Sequence, residues 1–228
     1  MQQGQLERPV VAVDVVVLRL VAGRLAVLLH ERAEEPFRGV PALPGVALRV
    51  DETLEAAARR ALMEKGGFPE GELPAVYLEQ LATFGAVFRD PRGRTVSIAH
   101  LGLTLAGARL AGTGRWTAID EVPHGGLPFD HERVLSVAVS RLQGKIRYTN
   151  IARYLLSPVF RIEELQLVYE AVLGRRLNLT NFRTKLLGLG LIRRERVLAE
   201  AVGPRGGRPP HLYRFVQDRL ESEDREFV

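Results

Sequence analysis

Three groups of side chains in this 228-residue chain have types and spacings that could do chemistry. Between Gly45 and Phe68 a turn-rich loop runs into a helical stretch and carries Glu52, Arg60, Glu64 and Lys65. Around an Asp-Pro-Arg-Gly turn stand Arg89, Arg92 and Arg94. Planar guanidinium groups match phosphate oxygens well, although a charged turn is also what solvent favours. From Asn178 to Leu189 a helical wheel puts Thr180, Asn181, Thr184 and Lys185 on one side and Phe182, Leu186 and Leu189 on the other, with Arg183 at the border. Such a helix can bury its apolar face in a small bundle and offer the polar face to base edges and phosphates. Metal chemistry has little to build on: the chain has no cysteine, and His30, His100, His124, His131 and His211 show no ligand spacing.

The elements that must hold these groups follow from periodicity and breakers. Val10 to Leu18, β-branched and interrupted by Asp14, predicts a buried strand; Arg24 to His30 predicts a second, with Ala22-Gly23 as the turn. Arg32 to Gly45 is full of Pro and Gly and predicts a loop. A helix is expected from about Thr53 to Lys65, capped by Thr53 and burying Ala57, Ala58, Ala61 and Leu62. Leu81 to Leu105 reads as two strands joined by the Asp-Pro-Arg-Gly turn, Trp116 opens another strand, and an amphipathic helix runs from Phe129 to about Leu142. Beyond Gly144 the pattern predicts a short helix from Tyr148 to Leu156, broken by Ser157-Pro158, and a helix from Phe160 to Leu173 closed by Gly174. The helix at Asn178 follows, then strands from Leu191 to Ala201 and from Leu212 to Val216 around a Gly/Pro loop carrying Arg205 and Arg208. A basic loop between two strands after a third helix describes a winged helix.

The net charge of +5 is unevenly spread. Residues 1–142 carry 16 Lys and Arg against 17 Asp and Glu, residues 143–216 carry 14 against 5, and residues 217–228 carry 2 against 5. The basic excess therefore lies in one C-terminal block, the footprint of a module that meets phosphate backbones. Lys145, Arg147, Thr149 and Arg193 join the third helix and the two loop arginines as candidate DNA contacts, while Arg193, Arg194 and Arg196 can equally form a solvated strand face. With 46% hydrophobic and 26% charged residues the composition is that of a soluble globular protein. No apolar run approaches the roughly 18 residues needed to span a bilayer. The first nine residues lack the basic start and apolar core of a signal peptide, so the cytoplasm is the expected compartment and no membrane partner is expected.

The stretch from Gly45 to Phe68 resembles the Nudix box, in which a Gly-rich loop leads to a glutamate and then to an Arg-Glu-x-x-Glu-Glu helix that holds divalent metal against a diphosphate. On that pattern Glu52 takes the loop glutamate's place, Arg60 the arginine's, Gly67 the closing glycine's and Phe68 the apolar residue's. The helix glutamates fall on Ala61, Glu64 and Lys65, so one carboxylate of three remains, and magnesium at a diphosphate usually takes several acidic oxygens. The approach to the box is similar too, with Arg32, Glu35-Pro36-Phe37, Gly39 and Ala42-Leu43-Pro44-Gly45, although Pro41 stands where a tryptophan is usual. The phrase around Asp90 resembles the hairpin of ADP-ribose-type Nudix domains and of the NrtR family of Nudix-related transcriptional regulators. Glu164-Leu-Gln, Tyr169-Glu170, Leu173-Gly174, Asn181-Phe-Arg-x-Lys185 and Gly207-Arg-Pro-x-x-Leu-Tyr-Arg-Phe215 closely resemble that family's C-terminal domain, and the likeness covers about residues 8–216.

The resemblance implies an α+β chain: an N-terminal Nudix α/β/α sandwich over 8–142, a C-terminal winged helix domain over 143–216, and an acidic polar tail over 217–228 that reads as loosely ordered. It implies a homodimeric repressor of NAD metabolism genes, with a double-stranded DNA operator as partner and ADP-ribose as the effector that releases it; the alanine and lysine at two box positions argue against enzymatic turnover, and no cofactor and no need for magnesium are expected. The ligand contacts expected are Arg32, Phe37, Glu52, Arg60, Glu64, Lys65, Phe84, Arg89 and Arg92. Two other readings stay open: an ADP-ribose pyrophosphatase with an accessory domain, resting on Glu52 and Glu64, and a C-terminal block that docks protein. Glu52 and Arg60 can pair merely to pin the loop on the helix, Phe37 and Phe84 can stack an adenine or pack as core, and Tyr148 and Tyr213 read as core. Lys65 can replace the metal as partner of a diphosphate, or be a solvated lysine at a helix C-terminus.

Overall fold

The computed structural model describes residues 8–105, 110–195 and 211–222. Contacts gather the chain into two units, one built from residues up to Arg19 and from Ala26 to Ala138, the other from Leu20–Leu25 and residues from Val139 onward.

In the first unit the β-branched run forms β1 (Val10–Val21), which turns into β2 (Arg24–Glu31). Ala22 and Gly23 have φ of 49° and 78°, the left-handed pair that a two-residue hairpin turn needs to match strand twist. Two short strands follow, β3 (Pro41–Ala42) and β4 (Gly45–Ala47), then α1 (Leu54–Glu64), the hairpin β5 (Tyr77–Phe84) and β6 (Thr95–Leu103), and β7 (Arg115–Ala118). The sheet runs β3-β2-β1-β6-β5, with β4 on β1 and β7 on β2. β1 and β6 are parallel, which places Val15 beside His100 and Leu18 beside Leu103.

The Thr53 hydroxyl caps α1 by accepting the Ala56 N–H at 3.1 Å, and Ala57, Ala58, Ala61 and Leu62 are fully buried on its inner face. They pack with Val13, Val15 and Val17, which alternation sends to one side of β1. The opposite side carries Asp14, Val16 and Leu18, also buried, and there His131 at the start of α2 (His131–Lys145) comes within 3.8 Å of Asp14. A helix on each face of the sheet gives the expected sandwich, and α2 runs on through Gly144.

The second unit contains β8 (Phe160–Arg161), α3 (Ile162–Leu173), α4 (Leu179–Gly188), β9 (Ile192–Glu195) and β10 (Leu212–Phe215), its sheet ordered β8-β10-β9. Gly174 ends α3 at φ 66°, and Asn178 caps α4 by accepting the Asn181 N–H at 3.0 Å. Four expectations change here. The stretch from Tyr148 to Leu156 holds only a 3-10 turn, Ile151–Leu155, because the Thr149 hydroxyl and Asn150 are tied elsewhere. Phe160 opens a strand and not a helix, since it pairs with Tyr213; the helix starts only where Glu164 Oε2 accepts the Arg161 N–H at 2.6 Å. Tyr213 is core at 1% exposure, whereas Tyr148 is 39% exposed.

The fourth concerns the acidic tail, which is held as far as Ser222. Asn150, almost fully buried, must satisfy its amide: Nδ2 donates to Arg219 O at 2.8 Å and Oδ1 accepts the Glu221 N–H at 2.9 Å. Thr149 forms a bridge with Ser222, and Arg153 donates to Gln217 O. The loop with Arg205 and Arg208, and the expected strand beyond Glu195, lie outside the described residues. Among the described residues no helix is long and apolar enough to cross a membrane.

Candidate functional site

Strands β1, β2, β4 and β6, the C-terminal end of α1 and the turn into α2 enclose a cavity of about 940 Å³. Its wall carries eight cationic side chains, those of Arg8, Arg32, Arg49, Arg60, Lys65, Arg89, Arg92 and Arg94, against four carboxylates, those of Asp14, Glu34, Glu64 and Asp90. A cavity of this size with such an excess suits an anionic ligand as large as a nucleotide.

The box loop closes on one ion pair. Arg60 Nε and NH2 meet the two oxygens of Glu52 at 3.0 and 2.5 Å, and NH2 also donates to Ala47 O at 2.8 Å. The Arg49 N–H donates to Glu52 Oε1 at 2.8 Å. Hydrogen bonds from Arg60 hold the Glu52 carboxyl down at about 2. This pair pins the loop on the helix, and Glu52 is not among the wall residues. Glu64 does line the cavity, but Oε2 lies 3.4 Å from Arg60 NH1 and Oε1 lies 3.7 Å from Arg49 NH2. Ala61, one of the positions that align with an acidic residue, faces the core at 0% exposure. Among the described residues no group of three or more His, Cys, Asp or Glu is placed to hold a metal ion.

The floor is a buried charge network. Arg89, whose side chain is 4% exposed, donates to Asp130 through NH2 at 2.6 Å and to Asp14 Oδ2 at 3.3 Å. Ser97 Oγ also donates to Asp14 Oδ2. Burial disfavours the guanidinium, but the Asp130 hydrogen bond and the Asp14 charge more than offset it and hold Arg89 above its ordinary range. His131 is kept low by burial first, and its Nδ1 accepts the Leu43 N–H at 3.2 Å, which fixes a neutral ring with the other nitrogen toward Asp14. Arg89, expected as a phosphate contact, is thus spent on two carboxylates. Gly45 must be glycine, since a Cβ there would lie 2.1 Å from Asp14 Oδ1.

One flank is aromatic. The Phe129 ring lies under Arg32 at 4.8 Å and Arg92 at 5.6 Å, and Phe37 stands edge-on to it at 5.1 Å. Both Phe37 and Phe129 have positive φ, 68° and 57°, a conformation that costs free energy in a bulky residue and persists only where the surroundings enforce it. Arg32 Nε donates to Pro36 O at 2.9 Å, and Arg92 is paired with Asp90 at 2.7 Å while its guanidinium stays half exposed.

Of the expected ligand residues, Arg32, Arg60, Glu64, Lys65, Arg89 and Arg92 line this one cavity. Phe37 stands behind Phe129, and Phe84 is buried at 6% exposure on β5, away from the wall, because it sits at an inward position of its strand. Sequence reasoning missed Asp14, Asp90, Phe129 and His131. Asp14 had a visible sign: a carboxylate in a β-branched strand that is buried on both faces requires a partner.

In the second unit Thr180, Asn181, Thr184 and Lys185 are exposed along α4, Arg183 is half-buried, and Phe182 and Leu186 are buried beneath them. Arg193 is exposed on β9, and Lys145 and Arg147 are half-buried. Thr149, expected at the DNA face, is 2% exposed and its hydroxyl donates to Lys145 O at 2.7 Å, so it terminates α2 instead.

Comparison with known proteins agrees with both halves. Residues 8–137 match the NUDIX domain and residues 152–215 the NrtR DNA-binding winged helix domain. The "ADPR responsive transcriptional repressor NtrR" of Acinetobacter baylyi is 34% identical over 222 residues, 94% of this chain and 85% of that protein. An ADP-ribose pyrophosphatase of Methanocaldococcus jannaschii is 32% identical over 131 residues, 56% of this chain and 71% of its own. NrtR of Shewanella oneidensis, solved with a 27mer DNA, is 30% identical and superposes with a TM-score of 0.74 over 90% of this chain and 93% of that one. Its NUDIX domain, solved with ADP ribose, is 31% identical with a TM-score of 0.51 over 60% and 90%. A Nudix match over more than half the length, joined in one chain to that winged helix, establishes that this chain belongs to the NrtR family of Nudix-related proteins.

Proposed function

We propose that the chain is a homodimeric transcriptional repressor that binds a double-stranded operator through its winged helix and is released when ADP-ribose enters the Nudix cavity. Relatives supply each half: the Acinetobacter protein is an ADPR responsive repressor, and Shewanella NrtR has been solved with DNA and, as its NUDIX domain, with ADP ribose. The observation that carries the reading is a strongly cationic cavity at a Nudix box, in one chain with a helix that exposes Thr180, Asn181, Thr184 and Lys185. The controlled genes are those of NAD biosynthesis or salvage, and the protein acts in the cytoplasm. Ligand is bound and not consumed, because the box presents a single wall carboxylate, already facing two guanidinium groups.

Fluorescence anisotropy of a labelled operator tests this. ADP-ribose should lower DNA affinity in the presence of EDTA, and chromatography should show the nucleotide intact afterwards. The 32% identity to an ADP-ribose pyrophosphatase keeps one competing outcome in view, AMP formed in magnesium at a rate proportional to protein. Turnover of that kind would overturn the sensor reading.

A further inference from the structure

Most positive charge in the cavity wall is already engaged. Arg60 is clamped by Glu52, Arg89 by Asp14 and Asp130, and Arg92 by Asp90. Arg32 and Arg94 donate to carbonyl oxygens of their own loops. Arg8 and Lys65 differ: both line the same wall with no ion-pair or hydrogen-bond partner among the described residues, and of the two it is Lys65 that stands at the end of α1. Its charge is felt inside the cavity, where, after burial itself, Lys65 and Arg32 both disfavour protonation of His30.

The neighbouring carboxylate points the same way. Both oxygens of Glu64 face guanidinium groups, Arg60 at 3.4 Å and Arg49 at 3.7 Å, and a hard divalent cation approaching it would have to displace both. The end of α1 therefore presents a compensated carboxylate followed by an uncompensated ammonium. We propose that Lys65 receives the diphosphate of the bound nucleotide, so that capture requires no divalent metal. This rests on reading the cavity as the ADP-ribose site. A fixed ammonium offsets diphosphate charge without lowering the pKa of a water, so it holds the ligand without generating the nucleophile that a metal supplies.

Calorimetry on the full-length protein tests it, with ADP-ribose titrated in EDTA and then in magnesium. Affinity should agree between the two within about twofold, and Lys65→Ala should weaken it by about tenfold or more, the loss expected for a charge-assisted contact. Lys65→Arg should recover most of that loss, and AMP, with one phosphate, should lose less than ADP-ribose. A requirement for magnesium, or equal affinity of Lys65→Ala and the parent, overturns the proposal. If the Ala variant does not give the parent's thermal melt, Lys65→Gln replaces it and is read the same way. Should ADP-ribose fail to bind the parent in both buffers, the effector reading falls, and inorganic pyrophosphate then decides Lys65. Pyrophosphate binding lost in the variant supports the lysine's role; no binding, or equal binding, ends it.

Discussion

A single carboxylate, Asp14, organises the inner wall of the Nudix unit. It sits in the apolar run Val10–Leu18 of β1, accepts from Ser97 and Arg89, and presses against Gly45 of the box loop. Arg89→Met should destabilise the protein by about 3–5 kcal/mol in denaturant unfolding, because it leaves the buried Asp14 and the half-buried Asp130 without their cation. Gly45→Ala should also destabilise, since its Cβ has no room beside Asp14 Oδ1. Glu52 makes a prediction in pH. Its folded pKa, about 2, lies below the ordinary 4.5, so the stability it contributes is fully present above pH 4.5 and is lost as pH falls toward 2. Stability of Glu52→Gln should accordingly change less than that of the parent across that window; the same acid limb in both would show the pair to be inert. The role of Asp14 was hard to read beforehand because its partner Arg89 lies 75 residues downstream, and no local pattern links them.

At the scale of elements, the α3–α4 turn is braced from one side chain. Glu170 accepts from the Leu177 N–H, Gln166 and Arg176, and the Leu177 N–H above all lowers its pKa. Its contribution too is present above the ordinary carboxylate range and declines as pH drops below it. Glu170→Gln should therefore loosen the turn at neutral pH and weaken operator binding, because α4 is then less well fixed against α3. The exposed face of α4 divides by chemistry. Removing Lys185 should weaken binding to all sequences and flatten the dependence of log affinity on log salt by up to about 0.9. Asn181→Ala should instead relax preference at one base pair, at a cost of about 1–3 kcal/mol in discrimination. Unchanged operator affinity in Arg183→Ala/Lys185→Ala would remove this helix from the interface. These helices were legible because local periodicity and caps specify them: the Ala57–Leu62 stripe, Gly174 and Asn178 mark their own places. Phe160 and the stretch from Tyr148 to Leu156 were not, since their conformation is set by Tyr213 and by Arg219–Glu221, far along the chain.

For the whole molecule, one winged helix offers few base-reading side chains, so specificity needs two of them on a two-fold-symmetric site. Sedimentation should give a dimer, and footprinting should show half-sites about one or two helical turns apart, roughly 10 or 20 base pairs. A monomer protecting an asymmetric site would contradict it. If ADP-ribose and operator compete through one equilibrium, linkage requires reciprocity: the factor by which ADP-ribose lowers DNA affinity should equal the factor by which operator lowers ADP-ribose affinity. Unequal factors at equilibrium would mean that a further bound species takes part. The two-part architecture could be anticipated from the charge partition and the two sets of motifs. What the residue pattern lacked was the cavity itself, which forms only when β1, the box loop and the turn at Phe129 converge.

The closure of Thr149 on Ser222, with Asn150 holding Arg219 and Glu221, means that the winged-helix segment begins and ends at the same place. Adjacent ends make a segment a cassette: it can be joined to a host through a single point of attachment, without asking the host to span a gap. The natural edge of that cassette is then Ser222 and not the last strand residue, and a graft cut after Phe215 would carry the helices and wing strands but leave the amide of Asn150 without its partners. Swapping sensors between such regulators would succeed or fail at this seam, where the seven residues from Val216 to Ser222 complete its fastening.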